Sequence, residues 1–61
     1  MTNMFQINEV TRRLRDCDLP HLAADYEHKP SVRTDIINRA AFELVAAGRV
    51  QDARDILKVA A

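Results

Sequence analysis

Residues Val32 to Ala47 read VRTDIINRAAFELVAA, the one stretch of the chain long and apolar enough for a central helix. On a 3.6-residue repeat Val32, Ile36, Ile37, Ala40, Ala41, Leu44, Val45 and Ala47 cover more than half the circumference. That is wider than the stripe of roughly 100° needed to pack against one neighbour, so the helix is expected to be packed on at least two sides. The remaining arc holds Asp35, Asn38, Arg39 and Glu43. Asp35, Arg39 and Glu43 repeat at i, i+4 and i+8, an alternating-sign ladder suited to a solvated face. Phe42 falls in that polar arc against the pattern. Either the first helix wraps round far enough to bury it, or it is left over as an anchor for a partner.

A chain of 61 residues holds one small domain, taken here as 1–61. Single cores below roughly 70 residues seldom supply more than about 3–5 kcal/mol, so a staple or a partner is often required. Cys17 is the only cysteine and cannot close an internal disulfide. Paired zinc-ligand motifs are missing as well, which makes a homo-oligomer, most simply a dimer, the expected remedy. Nine basic residues balance nine acidic ones and the two are mixed along the chain. That mixture argues against a nucleic-acid mimic and against an electrostatic membrane binder. Seven of the nine basic residues are Arg, whose planar fork suits contacts to carboxylate or phosphate. No apolar run reaches the length of a signal-peptide core or a membrane span, and a lone thiol suits a reducing compartment. The expectation is a soluble, cytoplasmic protein.

Start and stop signals divide the chain into helices at about 4–17, 19–28, 31–47 and 50–60. Asn3 with Gln6 three residues on has the form of a capping box. Ile7, Val10, Leu14 and Cys17 then draw one narrow seam, with Glu9, Arg12, Arg13 and Asp16 opposite. Met4 and Phe5 open this helix, and either close the end of the core or are exposed for a partner. Asp18 reads as the N-cap of the second helix, with Pro20 in its first turn and Leu22, Ala23 and Tyr26 on its buried side. Lys29 and Pro30 end it, and Ser31 is placed to cap the central helix. Gly48 closes the central helix in the left-handed conformation. In the fourth helix Val50, Ala53, Leu57 and Ala60 form the seam, with Ile56 beside it. So short a connection makes the third and fourth helices antiparallel neighbours. The fold class is all-α: a small bundle of about four short helices, the last two forming a tight antiparallel hairpin.

Ala41, Leu44, Gly48, Arg49, Asp52, Ala53, Leu57 and Ala60 stand at the offsets of A-x-x-L-x-x-x-G-R-x-x-[DE]-A-x-x-x-L-x-x-A. The last third of the chain therefore resembles the inter-helix portion of a tetratricopeptide-type hairpin, in which small residues let two helices approach around a Gly turn. Large aromatics early in the first helix of that family have no counterpart here, and no second copy is read in the chain. Arg13, Leu14, Arg15 and Cys17, followed by short helices, are similar to the small nucleoid-associated modulators of the Hha and YmoA kind. That resemblance implies binding to a larger DNA-binding protein.

No motif names a chemistry. Cys17, His21, Asp25 and His28 are spaced 4, 4 and 3, and on one continuous helix would share a face as possible metal ligands. Asp18 and Pro20 break the helix between Cys17 and His21, so the four are read as a core thiol and surface side chains, with no metal and no cofactor. A Cys-His nucleophile lacks an oxyanion hole, a Gly-rich loop and an orienting third group, and no enzyme activity is expected. Arg12, Arg13 and Arg15 could meet phosphates, joined by Arg33, Arg39, Arg49 and Arg54 if the fold collects them. Against this, Glu9 stands four before Arg13, Arg12 four before Asp16, Asp35 four before Arg39 and Asp25 four before Lys29. A helix-turn-helix reading at Gly48 would also place Asp52 and Asp55 where base-reading side chains belong. The favoured expectation is a non-catalytic module that binds a larger protein, as an adaptor, inhibitor or regulatory subunit. Its interface would use Phe42, Met4, Phe5, Asn38 and Arg39. The alternative is a small DNA-associated regulator working through Arg12, Arg13 and Arg15.

Overall fold

A computed structural model describes residues 3–61, so residues 1 and 2 of the expected domain lie outside the described residues. It contains helices α1 (Met4–Asp16), α2 (Pro20–His28), α3 (Arg33–Ala46) and α4 (Val50–Ala60), with one 3-10 turn at Pro30–Val32. No strand occurs among the described residues. Each helix packs on the next in the chain and α4 returns to α1, so the four form a closed ring around one core. The α3–α4 hairpin has the most extensive interface, followed by α1–α2.

The two hairpins are built alike. Shifting α1–α2 by thirty residues lays Met4–Asp16 on 34–46 and Pro20–His28 on 50–58, within α3 and α4. Both turns close the same way. Leu19 N–H donates to the Leu14 carbonyl and Asp18 N–H to the Arg15 carbonyl; thirty residues later Arg49 donates to Leu44 and Gly48 to Val45. This is the Schellman pattern, with a left-handed residue just beyond the helix end: Asp18 at φ 64° and Gly48 at φ 78°. Asp is one of the few side chains that adopts this conformation at modest cost. The buried positions correspond too, Val10 with Ala40, Leu14 with Leu44, Ala23 with Ala53 and Tyr26 with Ile56. The first half therefore holds a second hairpin closed by the same turn, although of the eight motif residues it keeps only Leu14 and Ala23 and its turn carries Asp18 in place of Gly48.

Side chains close the N-terminus of α1 and the C-termini of α2 and α4. Asn3 Oδ1 accepts from Gln6 N–H at 2.8 Å and caps α1 as expected. The return half of the capping box does not form. Gln6 Nε2 instead donates to the Val59 and Ala61 carbonyls at 2.9 and 3.0 Å, tying the start of α1 to the end of α4. Arg33 Nε and Nη2 donate to the Tyr26 and Glu27 carbonyls at 2.7 and 3.0 Å, so a cation sits on the C-terminus of α2, where the helix dipole favours it. Its guanidinium also lies 5.3 Å from the Tyr26 ring centre. Arg49 Nη1 donates to the Cys17 carbonyl at 3.2 Å, joining the second turn to the first.

Three local readings change. Asp18 does not cap α2, because its backbone is spent on closing α1; Leu19 holds the cap position without a side-chain bond. Ser31 does not cap α3, since Pro30–Val32 form the 3-10 turn and Val32 precedes the helix. The seam of α4 is rotated from the expected one. Ile56 and Ala53 are buried, Val59 and Ala60 pack beside them, and Val50 and Leu57 are exposed. In α1 the expected seam holds with Val10 and Leu14 fully buried, and in α2 Leu22, Ala23 and Tyr26 are buried as read.

Candidate protein-binding face

The side chains of α3 sort themselves by helical phase. Ile36, Ile37, Ala40 and Leu44 point into the ring and meet α2 and α4, so the helix is packed on two sides. Glu43 was expected on the solvated arc but is half-buried, and its Oε2 is buried with no hydrogen-bond partner among the described residues. The reason is register: Glu43 follows Ala40 by three and Ile36 by seven, which brings it to the edge of the core stripe. With Glu43 turned inward, no ion pair of the Asp35, Arg39 and Glu43 ladder forms among the described residues.

Phe42 is 72% exposed, which rules out burial by α1. It is not isolated. Val45 follows it by three residues, one turn on, and is 52% exposed, while Val50 and Leu57 on α4 are each 45% exposed. Leu57 shares a hollow of about 200 Å³ with Ile37 and Asn38, which fixes the side of α4 that turns toward α3. Val50, seven residues before Leu57, lies on that same side two turns away. Phe42 and Val45 on α3 and Val50 and Leu57 on α4 therefore edge one apolar strip along the outside of the second hairpin. Half-buried Ala41 lies between Ile37 and Val45 on its floor.

The first hairpin supplies an internal control. Thirty residues earlier, the counterparts of Phe42, Val45, Val50 and Leu57 are Arg12, Arg15, Pro20 and Glu27. Arg12 Nη2 meets Glu9 at 2.7 Å and Arg15 Nη2 lies 4.0 Å from Glu27. One geometry thus carries a charged, solvated surface in one half and an apolar one in the other. Packing of this hairpin does not require apolar side chains at the places of Phe42, Val45 and Leu57.

Among the other residues singled out from the sequence, Asn38 and Arg39 are exposed beside Phe42, and Asn38 lines the hollow. Met4 and Phe5 are 71% and 81% exposed, so they do not close the core. They stand at the end of the ring where Gln6 holds the terminus of α4, whereas Phe42 is near the opposite end of α3, close to Gly48. The structure does not gather them into the strip. Val45, Val50 and Leu57 were missed because the expected seams placed them in the core.

The basic cluster is largely engaged at home. Arg13 Nε meets Glu9 at 3.2 Å, and Arg12 also lies 3.9 Å from Asp16. The bond from Arg12, more than that from Arg13, holds the Glu9 carboxyl below its ordinary pKa. Cys17, His21, Asp25 and His28 are not brought together, because the left-handed Asp18 interrupts the helix face they would share; among the described residues no three potential ligands cluster. Burial, then the neighbouring Asp52, pushes the Cys17 thiol above its ordinary pKa, and Arg49 opposes the shift. A thiol so placed is a poor thiolate nucleophile near neutral pH.

Comparison with known proteins finds no matching family model, no matching curated protein and no matching solved structure. No helix among the described residues is long and apolar enough to cross a membrane.

Proposed function

We propose that this chain is a non-catalytic protein-interaction module that binds a larger protein through the outer face of the α3–α4 hairpin, with Phe42 as its anchor. The observation that carries this reading is the contrast between matched positions: Phe42, Val45, Val50 and Leu57 are apolar and exposed where Arg12, Arg15, Pro20 and Glu27 serve the same fold. Contiguous exposed apolar side chains cost solubility and gain nothing in an isolated monomer, and large aromatic anchors dominate protein interfaces. An adaptor, inhibitor or regulatory subunit fits a chain of this size, and the single free thiol is in keeping with a reducing cytoplasm. Local pairing of Arg12 and Arg13 with Glu9 weighs against a nucleic-acid surface on α1.

The test is a comparison of complexes isolated from the native host with the wild-type chain, Phe42→Arg and Arg12→Ala. A protein that accompanies the wild type and Arg12→Ala, and is lost with Phe42→Arg at unchanged melting temperature, supports the reading. Equal recovery with all three, or no accompanying protein with any of them, overturns it.

A further inference from the structure

The charges beside the apolar strip say what kind of partner fits it. Arg39 precedes Phe42 by three residues, and Arg54 follows Val50 by four and precedes Leu57 by three, so each is a surface neighbour of the strip on its own helix. Both are exposed, and neither has a carboxylate within ion-pair distance among the described residues. Lys58, although exposed, lines a hollow with Arg13 and Asp55 and so lies away from the strip. On the first hairpin Arg12, Arg13, Arg15 and Lys29 each have an acidic partner. Asp35 is the one acid on the outer side of α3, and it lies in the first turn, where the helix dipole already holds a negative charge. The strip is thus bordered by unanswered positive charge along both helices.

Resting on the reading of this face as a protein-binding surface, we propose that its occupant is an amphipathic helix of the partner, with an apolar ridge bordered by Asp or Glu. The groove between two antiparallel helices accepts a third helix, whose anchors recur at i, i+3, i+4 and i+7. Val50 and Leu57, seven residues apart, span two such turns. The hollow of about 200 Å³ beside Leu57, lined also by Ile37, Asn38, Thr34 and Arg33, has room for one side chain, with Asn38 and Arg33 available to a backbone or polar group. Acidic residues on the flanks of the ligand answer Arg39 on one side and Arg54 on the other. A second copy of the chain docked strip to strip would set these cations against one another, because both edges are basic, and like charges across a contact disfavour it. An anionic bilayer meets the same charges. The strip, however, lies along a groove between two helices, and one amphipathic face presented to a plane is what membrane surfaces favour.

The test is a selection from a display library of helical peptides of roughly 18 residues, five turns in length. Their ridge positions are apolar and their flanking positions are randomised over Asp, Glu, Asn, Gln, Lys and Arg. Enriched peptides are expected to carry Asp or Glu on both flanks. They are expected to lose tenfold or more in affinity for Arg39→Glu/Arg54→Glu, and to weaken as salt rises because exposed charges are screened. Binding should also fall tenfold or more with Phe42→Ala. Enriched peptides that need Phe42 but carry neutral or basic flanks overturn the acidic partner while leaving the binding face standing. Peptides indifferent to Phe42, or no enrichment at all, overturn the helix proposal. Wild-type binding to phosphatidylserine vesicles that Phe42→Ala abolishes, without peptide enrichment, assigns the face to a membrane and overturns both readings. A dimer in sedimentation that Phe42→Ala dissociates assigns the strip to a second copy and overturns the acidic partner.

Discussion

Phe42 on α3 occupies the position in its hairpin that Arg12 occupies on α1: each stands two residues before the buried Leu, Leu44 or Leu14, that leads into a Schellman turn. Arg12 pairs with Glu9 there, and Phe42 is left 72% exposed. Because the same backbone accepts either residue, the fold does not require an aromatic at position 42. Phe42→Arg should change stability by no more than about 0.5 kcal/mol, as for an exposed site. Leu44→Ala, two residues away and buried, should cost about 2–5 kcal/mol. Urea melts of the pair decide it, and comparable losses in the two variants would place Phe42 in the core.

The two turns differ in one respect that can be measured. Asp18 adopts φ 64° with a Cβ, whereas Gly48 adopts φ 78° without one, and nothing lies within 4 Å of where a Cβ on Gly48 would be. The cost of a side chain at position 48 is therefore backbone strain alone. Gly48→Ala should destabilise by about 1 kcal/mol and Asp18→Gly should stabilise by up to about 1 kcal/mol. Thermal unfolding of the single variants would show opposite shifts. Shifts of the same sign would mean that the Asp18 side chain contributes more than its strained backbone costs.

These turns also show how far the fold was legible. Apolar spacing, Pro20, Pro30 and Gly48 were enough for four helices and their order, because start and stop signals act locally. The pairing of halves was not, since it is carried by scattered identities such as Leu14 with Leu44 and Ala23 with Ala53, and the first turn lacks a Gly. The phase of α4 was ambiguous for a related reason. Both Val50–Ala53–Leu57 and Ala53–Ile56–Ala60 are apolar at helical spacing, and only the match of Ile56 to Tyr26 across the two hairpins chooses between them. Phe42 was visible as a misfit from the start. Its companions Val45, Val50 and Leu57 were hidden, because an apolar residue at helical spacing reads as core until a neighbouring helix is placed.

Arg33 links the two hairpins through the end of α2. It donates to two backbone carbonyls, of Tyr26 and Glu27, at 2.7 and 3.0 Å while stacking near the Tyr26 ring. Arg33→Ala should cost about 1–3 kcal/mol, since carbonyls at the helix end lose a charged donor. Arg33→Lys should restore less than half of the loss, because an ammonium cannot reproduce the two-pronged geometry. Chemical denaturation measures both. Full rescue by Lys would show that charge alone, not the fork, holds the junction.

Burial raises the Tyr26 phenol above its ordinary value of 10.0, with nearby Arg33 opposing the shift. The folded state therefore favours the neutral phenol more than the unfolded chain does. That contribution to stability is complete below pH 10 and is lost as pH rises toward the raised folded value. Cys17, raised above 9.0 by burial, adds a loss of the same sign beginning near pH 9. Stability of the wild type should fall between pH 9 and pH 11, and Tyr26→Phe should fall less steeply over the upper half of that range. Urea midpoints across the range check the slope, and equal slopes in the two proteins would remove Tyr26 from the account.

On the proposed function, the outer face of α3–α4 binds a partner protein and the matching face of α1–α2 does not. Placing a photo-crosslinking residue at position 42 in one variant and at position 12 in another, and irradiating both in the native host, measures this difference inside one molecule. The expected result is a discrete adduct with one larger protein from position 42 and none from position 12. Adducts of equal yield from both positions, or from position 12 alone, would contradict it.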